Sequence, residues 1–328
     1  KCKDEGCMIL YSEWLREKEM AIRILSNVSN MSSHFSIHDH THSEAILKYI
    51  KSFLGHKVLE KQFTATDLWM LLFAAYYHDI GMVVKNADIE KIFTDEDERK
   101  KFISMVKEIR HDKSSPLHEN AQIFEKELEK GKFLKLKDAI LSGKLLPKLL
   151  TIFTEFFRKK HAYRSQQFVN DLYTPESSLE EMGITSLIPQ RLFRTLGIIC
   201  ASHNYDDFEK VLEINEREVG MGEGDAHPRF IACLLRLGDV LDIDNNRFNP
   251  TALAYMGEEN LPSDTRYHIR KHLSITHFCV SPEVIDITAE IKVNEETDEN
   301  KDESFDVDAY NVAETLIKWF KLLREEYS

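Results

Sequence analysis

Residues 65–82 read ATDLWMLLFAAYYHDIGM. A helix this apolar has to lie inside a helical body rather than on its surface. Yet it runs directly into His78 and Asp79, two side chains that are costly to bury unless something pairs with or coordinates them. Whatever encloses this helix must also supply partners for the pair at its end. Thr64 or Thr66 is the expected N-cap and Gly81 the expected C-cap residue.

The rest of the chain up to about residue 250 carries the same period. MILYSEWLREKEMAIRILSNV, HSEAILKYIKSFL and KLLPKLLTIFTEFFRKKHAYRSQQFV place apolar residues at three- and four-residue intervals. The charged stretch from residue 85 to 120 is expected as an exposed helical insertion or lid. After Asn249-Pro250 the pattern changes: SITHFCVS and VIDITAEIKVN alternate as strands around Ser281-Pro282, and VAETLIKWFKLLREEY closes as an amphipathic helix. The basic YHIRKH, residues 267–272, reads as the edge of a strand, and the acidic EETDENKDESFDVD as a solvated loop. The predicted fold is therefore mainly α, a helical domain over residues 1–250 followed by a small α+β subdomain over 251–328.

Composition narrows the function. The formal net charge of −13 argues against a broad duplex-DNA surface, because Lys and Arg neutralising phosphates supply most non-specific nucleic-acid affinity. No apolar run reaches the roughly 18 to 20 residues that span a bilayer, and the first residues lack a secretory apolar stretch. A cytoplasmic protein is the simplest reading. Five cysteines (Cys2, Cys7, Cys200, Cys233, Cys279) lack paired spacing, which speaks against a disulfide framework; Cys2 and Cys7 are at most half of a zinc site.

Of the fourteen histidines, those at apolar helix edges carry the chemistry. His42 opens HSEAILKYIKSFL, His161 lies in FFRKKHAYRS, His203 in GIICASHNYDD, and Asp239 is the first acid of IACLLRLGDVLDID. An imidazole and a carboxylate side by side can bind one divalent cation, or two with the carboxylate bridging. Asp242, one helical turn after Asp239, and Asp244 are expected as outer supports or exposed, because the apolar face belongs to Asp239.

A histidine, a His-Asp pair and a distant aspartate, in this order on helices, resemble the HD-domain metal-dependent phosphohydrolase superfamily, with HDIGM close to the HDIG form of its central motif. The resemblance covers roughly residues 35–250 and implies an all-helical core. It implies His42, His78, Asp79 and Asp239 as ligands of a first metal, Asp79 as the bridge, and His161 and His203 as ligands of a second. The departures are specific: there is no HHE with a GYP segment, Met82 stands where HDIGK forms have lysine, and MVVKN replaces the further histidines of dNTP triphosphohydrolases. The chain looks most like the HD-type modules of larger bacterial proteins.

The expected activity is hydrolysis of a phosphoester or phosphoanhydride, first of all in a nucleotide. Asp79, His161, His203 and Arg164 would be catalytic, and Arg164, Arg236, Lys160 and His118 would contact substrate. Histidine-rich ligation suits Mn or Fe, with Co, Ni, Zn or Mg as further options, in one or two ions. Two other classes stay open: a nuclease or phosphodiesterase on single-stranded nucleic acid or cyclic nucleotides, and a metal- or nucleotide-binding sensor without turnover. The apolar stripe of residues 8–28 offers a surface for a second copy or a partner domain.

Overall fold

The computed structural model describes residues 4–31, 39–113, 115, 117–129, 146–172, 187–243, 263–292 and 307–327. Among these the chain is mainly helical: α1 Glu5–Met31, α2 His40–Gln62, α3 Ala65–Tyr77, α4 Asn86–Thr94, α5 Glu96–His111, α6 His118–Glu129, α7 Leu146–Arg158, α8 His161–Asp171, α9 Gln190–Ser202, the short α10 Glu209–Leu212, α11 Pro228–Leu241, α12 Ser263–Leu273 and α13 Val307–Tyr327. Two small antiparallel sheets complete it, β1 Glu218–Val219 with β2 Asp225–Ala226, and β3 Ile275–Val280 with β4 Ile285–Ala289. No helix among the described residues is long and apolar enough to cross a membrane.

The apolar α3 is the central helix, packed against α1, α2, α9 and α11, with Trp69, Met70, Phe73, Ala74 and Tyr77 buried in the main core. Thr64 caps it: its hydroxyl accepts from the Asp67 N–H and the Asp67 carboxylate accepts from the Thr64 N–H. The same buried Asp67 also accepts from the His227 N–H at 2.7 Å and from His227 Nδ1 at 3.0 Å. One carboxylate thus joins the N-terminal ends of α3 and α11. The two helices have 13 and 14 residues, each about 20 Å long, so they run parallel and deliver their C-terminal ends to one place. There α3 presents His78-Asp79 and α11 presents Asp239.

Close approach of α11 to α2 depends on Gly238. A Cβ at this position would stand 2.8 Å from side-chain carbons of both Ile46 and Ile50, well inside van der Waals contact. With hydrogen there, α2 lies against α11 and brings His42 beside Asp239.

Several expectations change. Residues 144–169 read as one periodic run, but the structure turns at Lys159–Lys160 and starts α8 at His161. YHIRKH belongs to helix α12, not to a strand edge. The charged insertion is helical, but α4, α5 and α6 join α7 around a core of their own, built from Phe102, Phe124, Phe153 and Phe156. Cys7 is held in a disulfide, whereas Cys200, Cys233 and Cys279 are free. Cys2, Asp244, the boundary at 250 and most of the acidic tract lie outside the described residues.

The C-terminal elements share a core with the helical body. Val312, Leu316, Trp319 and Leu323 of α13 and Ile275 of β3 pack on Tyr49, Leu237 and Leu241, and Trp319 Nε1 donates to the Val240 carbonyl at 2.9 Å. Each such side chain contributes roughly 1.5–3 kcal/mol when fully buried, so α13 is firmly joined to the last turns of α11.

Candidate metal centre

Six side chains from five elements converge at the C-terminal ends of α3, α9 and α11. His42, His78 and Asp239 form one group and Asp79, His161 and His203 a second, with one potential donor atom from each residue lying within 4.8 Å of the others in its group. In the first group, His42 Nε2 stands 3.3 Å from His78 Nε2 and 3.2 Å from Asp239 Oδ1, and His78 Nε2 lies 4.0 Å from the same oxygen. In the second, His161 Nε2 is 2.8 Å from His203 Nε2, and Asp79 Oδ1 is 3.4 and 3.7 Å from the two. The other Asp79 oxygen faces the first group, 3.3 Å from His78 Nε2 and 3.6 Å from His42 Nε2. Asp79 therefore stands between the groups with one oxygen toward each.

The outward nitrogens explain why the inward ones point as they do. His78 Nδ1 donates to the Ala75 carbonyl at 3.2 Å, His161 Nδ1 to Arg158 at 2.6 Å and His203 Nδ1 to Cys200 at 2.5 Å. All three acceptors lie in the last turn of α3, α7 or α9, where helix carbonyls have no intrahelical partner. His42 Nδ1 instead meets the buried Asp242 carboxylate at 2.5 Å. A carbonyl only accepts, so Nδ1 of the three helix-end histidines carries the hydrogen, and in a neutral ring Nε2 is a lone pair. Lone pairs facing each other at 2.8 and 3.3 Å repel unless a proton or a cation lies between them.

This donor set fits divalent cations. Ligands about 2.0–2.2 Å from an ion sit roughly 3–4 Å apart, the spacing found within both groups, and each histidine has the outer hydrogen-bond partner that metal-ligating histidines normally possess. His42, His78 and Asp239 would hold one ion and His161, His203 and Asp79 a second.

Electrostatics point the same way. Burial pushes His78 down, but the charge and hydrogen bond of Asp79 and the charge of Asp239 override it and raise its pKa to about 9. Burial, reinforced by the charge of His78, lowers His203 to about 3. Burial pushes Asp239 up, yet its hydrogen bond to His42 and the histidine charges bring it well below the usual carboxylate range. Near neutral pH, with no cation bound, a proton on His78 therefore supplies the positive charge that the site lacks. A cation has to displace that proton, so cation affinity is expected to fall about tenfold per pH unit below about 9 and to level off above it. Calorimetric titrations at several pH values, in buffers of different ionisation enthalpy, would read both the slope and the released proton.

The turn after the dipeptide is held from α8. Ser165 Oγ donates to the His78 carbonyl at 2.5 Å and accepts from the Gly81 N–H at 2.9 Å. Arg164 donates to the carbonyls of Gly81 and Val83 at 2.8 and 2.7 Å and to Asp88 at 2.9 Å. Burial pushes Asp88 up, but its hydrogen bond to Arg164 leaves the carboxyl below its ordinary value. Gly81 is no left-handed C-cap, since its φ is not positive. Its role is contact: a Cβ would stand 2.1 Å from the His161 carbonyl oxygen and 2.7 Å from the Ser165 nitrogen.

Each of the expected substrate contacts has a partner within the protein. Arg164 braces this turn. Arg236 is buried, paired with Glu326 of α13, and lines the cleft that opens on Asp79 and Asp239. Lys160 bonds Glu98 at 3.1 Å and lies over the Phe156 ring. His118 accepts from Gln122 on α6. Neither Lys160 nor His118 lines the cleft of about 560 Å³ that opens on Asp79, His161, His203 and Asp239. Three contributors escaped the sequence reading. Ser165 had a faint signal, one helical turn after His161. Glu17 had none: it is buried on α1 and accepts from the Tyr77 hydroxyl at 2.7 Å, anchoring the residue before His78. Glu326 had none either.

Removing the Asp242 carboxylate frees the His42 ring and leaves its Nδ1 without that acceptor. Asp242→Ala is expected to weaken cation binding about 10- to 100-fold, measurable by competition with a chromogenic chelator.

A family model described as HD-CE matches residues 32–327, which leaves α1 outside the match. No curated protein and no solved structure matches the chain.

Proposed function

Because the chain belongs to the HD-CE family and brings two ligand groups together around one aspartate, we propose that it is a metal-dependent phosphohydrolase acting on a small phosphorylated substrate, a nucleotide before other classes. The observation that carries this reading is Asp79, which turns one oxygen to each group. Divalent cations held by His42, His78 and Asp239 and by Asp79, His161 and His203 would supply a water of lowered pKa and positive charge for phosphoryl oxygens. The chain's own residues prepare the ground for that. His42, His78, His161 and His203 are turned inward by fixed Nδ1 contacts, Asp79 and Asp239 supply negative charge, and the brace of Arg164 and Ser165 keeps the dipeptide turn in place. The ligand set, with its four imidazoles, favours Mn or Fe over Mg.

The size of the cleft, about 560 Å³, falls in the range that encloses small ligands. The basic stretch around His161 supports a small substrate over single-stranded nucleic acid. Arg158 is paired with Glu155, Lys160 with Glu98 and Arg164 with Asp88, so these cations are engaged within the protein rather than aligned along a groove.

The test is phosphate release from mononucleotides, nucleoside triphosphates, cyclic nucleotides and a single-stranded oligonucleotide with Mn, Fe, Co or Mg, for the parent chain and for Asp79→Ala. Release that disappears in the variant establishes the hydrolase and names its substrate. Bound metal with no release from any substrate would replace this reading with a sensor.

A further inference from the structure

The C-terminal helix ends at the metal centre. Glu326 in its last turn pairs with Arg236, which lies one helical turn before Asp239 on α11; Nε of the guanidinium is 2.9 and 2.8 Å from the two carboxylate oxygens, and NH2 reaches the first of them as well. The side chains are 7% and 3% exposed, so the pair is dry. The remaining nitrogen of Arg236 points to the other side and donates to the carbonyls of Ser202 at 2.5 Å, Tyr205 at 3.1 Å and His203 at 3.3 Å. These carbonyls close the C-terminal end of α9, where a helix leaves acceptors unsatisfied. His203 sits among them, with Nε2 facing His161 and Asp79.

We propose that Glu326 is a positioning residue for the second cation position: by orienting Arg236 it fixes the end of α9 and holds the His203 imidazole toward His161 and Asp79. The inference rests on the two-cation reading above.

Two physical effects act in the same direction. A guanidinium buried without its carboxylate is an uncompensated charge, so loss of Glu326 leaves Arg236 to the other carboxylates that line the same cleft, Asp79 and Asp239 at the ligand groups and Asp206, Asp207 and Glu325 beside them. Movement toward any of them releases the α9 carbonyls, and movement toward Asp79 or Asp239 puts a positive charge where a cation would bind. His203 is the ligand most exposed to the change, because its Nδ1 contact, Cys200, belongs to the same helix end and moves with it. The first position has separate supports, Asp242 behind His42 and Ala75 behind His78. The C-terminal elements are thereby coupled to one cation position more than to the other.

The experiment titrates Co²⁺ into the chelator-treated full chain, following visible absorption and heat, for the parent, Glu326→Gln, Glu326→Asp and a chain lacking residues 326–328. The parent is expected to take up two ions. Glu326→Gln and the deletion should weaken one of them at least about tenfold while leaving the other within about twofold, and Glu326→Asp should recover most of the loss. A purely structural role would lower the melting temperature and weaken both ions together, which overturns the proposal. So does uptake of two ions at parental affinity in Glu326→Gln and in the deletion. A parent chain that takes up fewer than two ions refutes the two-cation reading instead, before any variant is compared.

Discussion

Asp79→Asn is expected to empty both cation positions and reduce phosphate release by roughly 10³-fold or more, beyond the 10- to 100-fold expected when only an outer support of a ligand is lost. The geometry singles out this residue. His42, His78 and Asp239 each serve one group, whereas Asp79 faces both. The amide keeps the shape of the carboxylate and removes its charge, so the fold should persist while the centre fails. The raised pKa of His78 depends in part on the charge of Asp79; in the variant it should fall, since burial then acts with less opposition. Metal content per chain, activity and the His78 titration by NMR would be read together. Two ions retained per chain would refute the bridging role.

Gly81→Ala is expected to cost about 3 kcal/mol or more, at or above the upper end for overpacking, because the new methyl carbon would meet backbone atoms rather than a flexible side chain: the His161 carbonyl oxygen at 2.1 Å and the Ser165 nitrogen at 2.7 Å. Relief requires α8 to move away from the dipeptide turn. That would break the Ser165 contacts to His78 and Gly81 and carry His161 away from Asp79. The variant should therefore lose melting temperature and the second ion, and a parental melting curve with two ions bound would show that the turn can shift without cost.

Much of the fold could be read from the sequence. Apolar residues at helical spacing mark α1, α2, α3, α11 and α13, and alternation marks β3 and β4, because both periods are local properties of the chain. Periodicity misled at Lys159–Lys160, where the apolar spacing continues through a turn, and at YHIRKH, too short to tell a basic helix from a strand edge. The six candidate ligands could also be picked out, since a histidine or acid at the edge of an apolar helix is conspicuous by its burial cost. The structure shows that these side chains meet.

Arg164 and Arg236 mark the limit. As sequence, each is a cation near a candidate ligand and reads as a contact for phosphate. In the fold Arg164 meets Gly81 and Val83, more than eighty residues away, and Arg236 meets Glu326, ninety residues on. Periodicity and composition by themselves determined that this protein is helical, that its central helix ends in a buried His-Asp pair, and which residues were able to join that pair. Only tertiary structure decided that the six candidate side chains meet as two groups on either side of Asp79, that the nearby arginines hold backbone carbonyls and carboxylates of the protein, and that the C-terminal helix closes on that site. Helical period depends on neighbours three and four residues away, whereas charge pairing and ligand geometry depend on which helix ends meet in space.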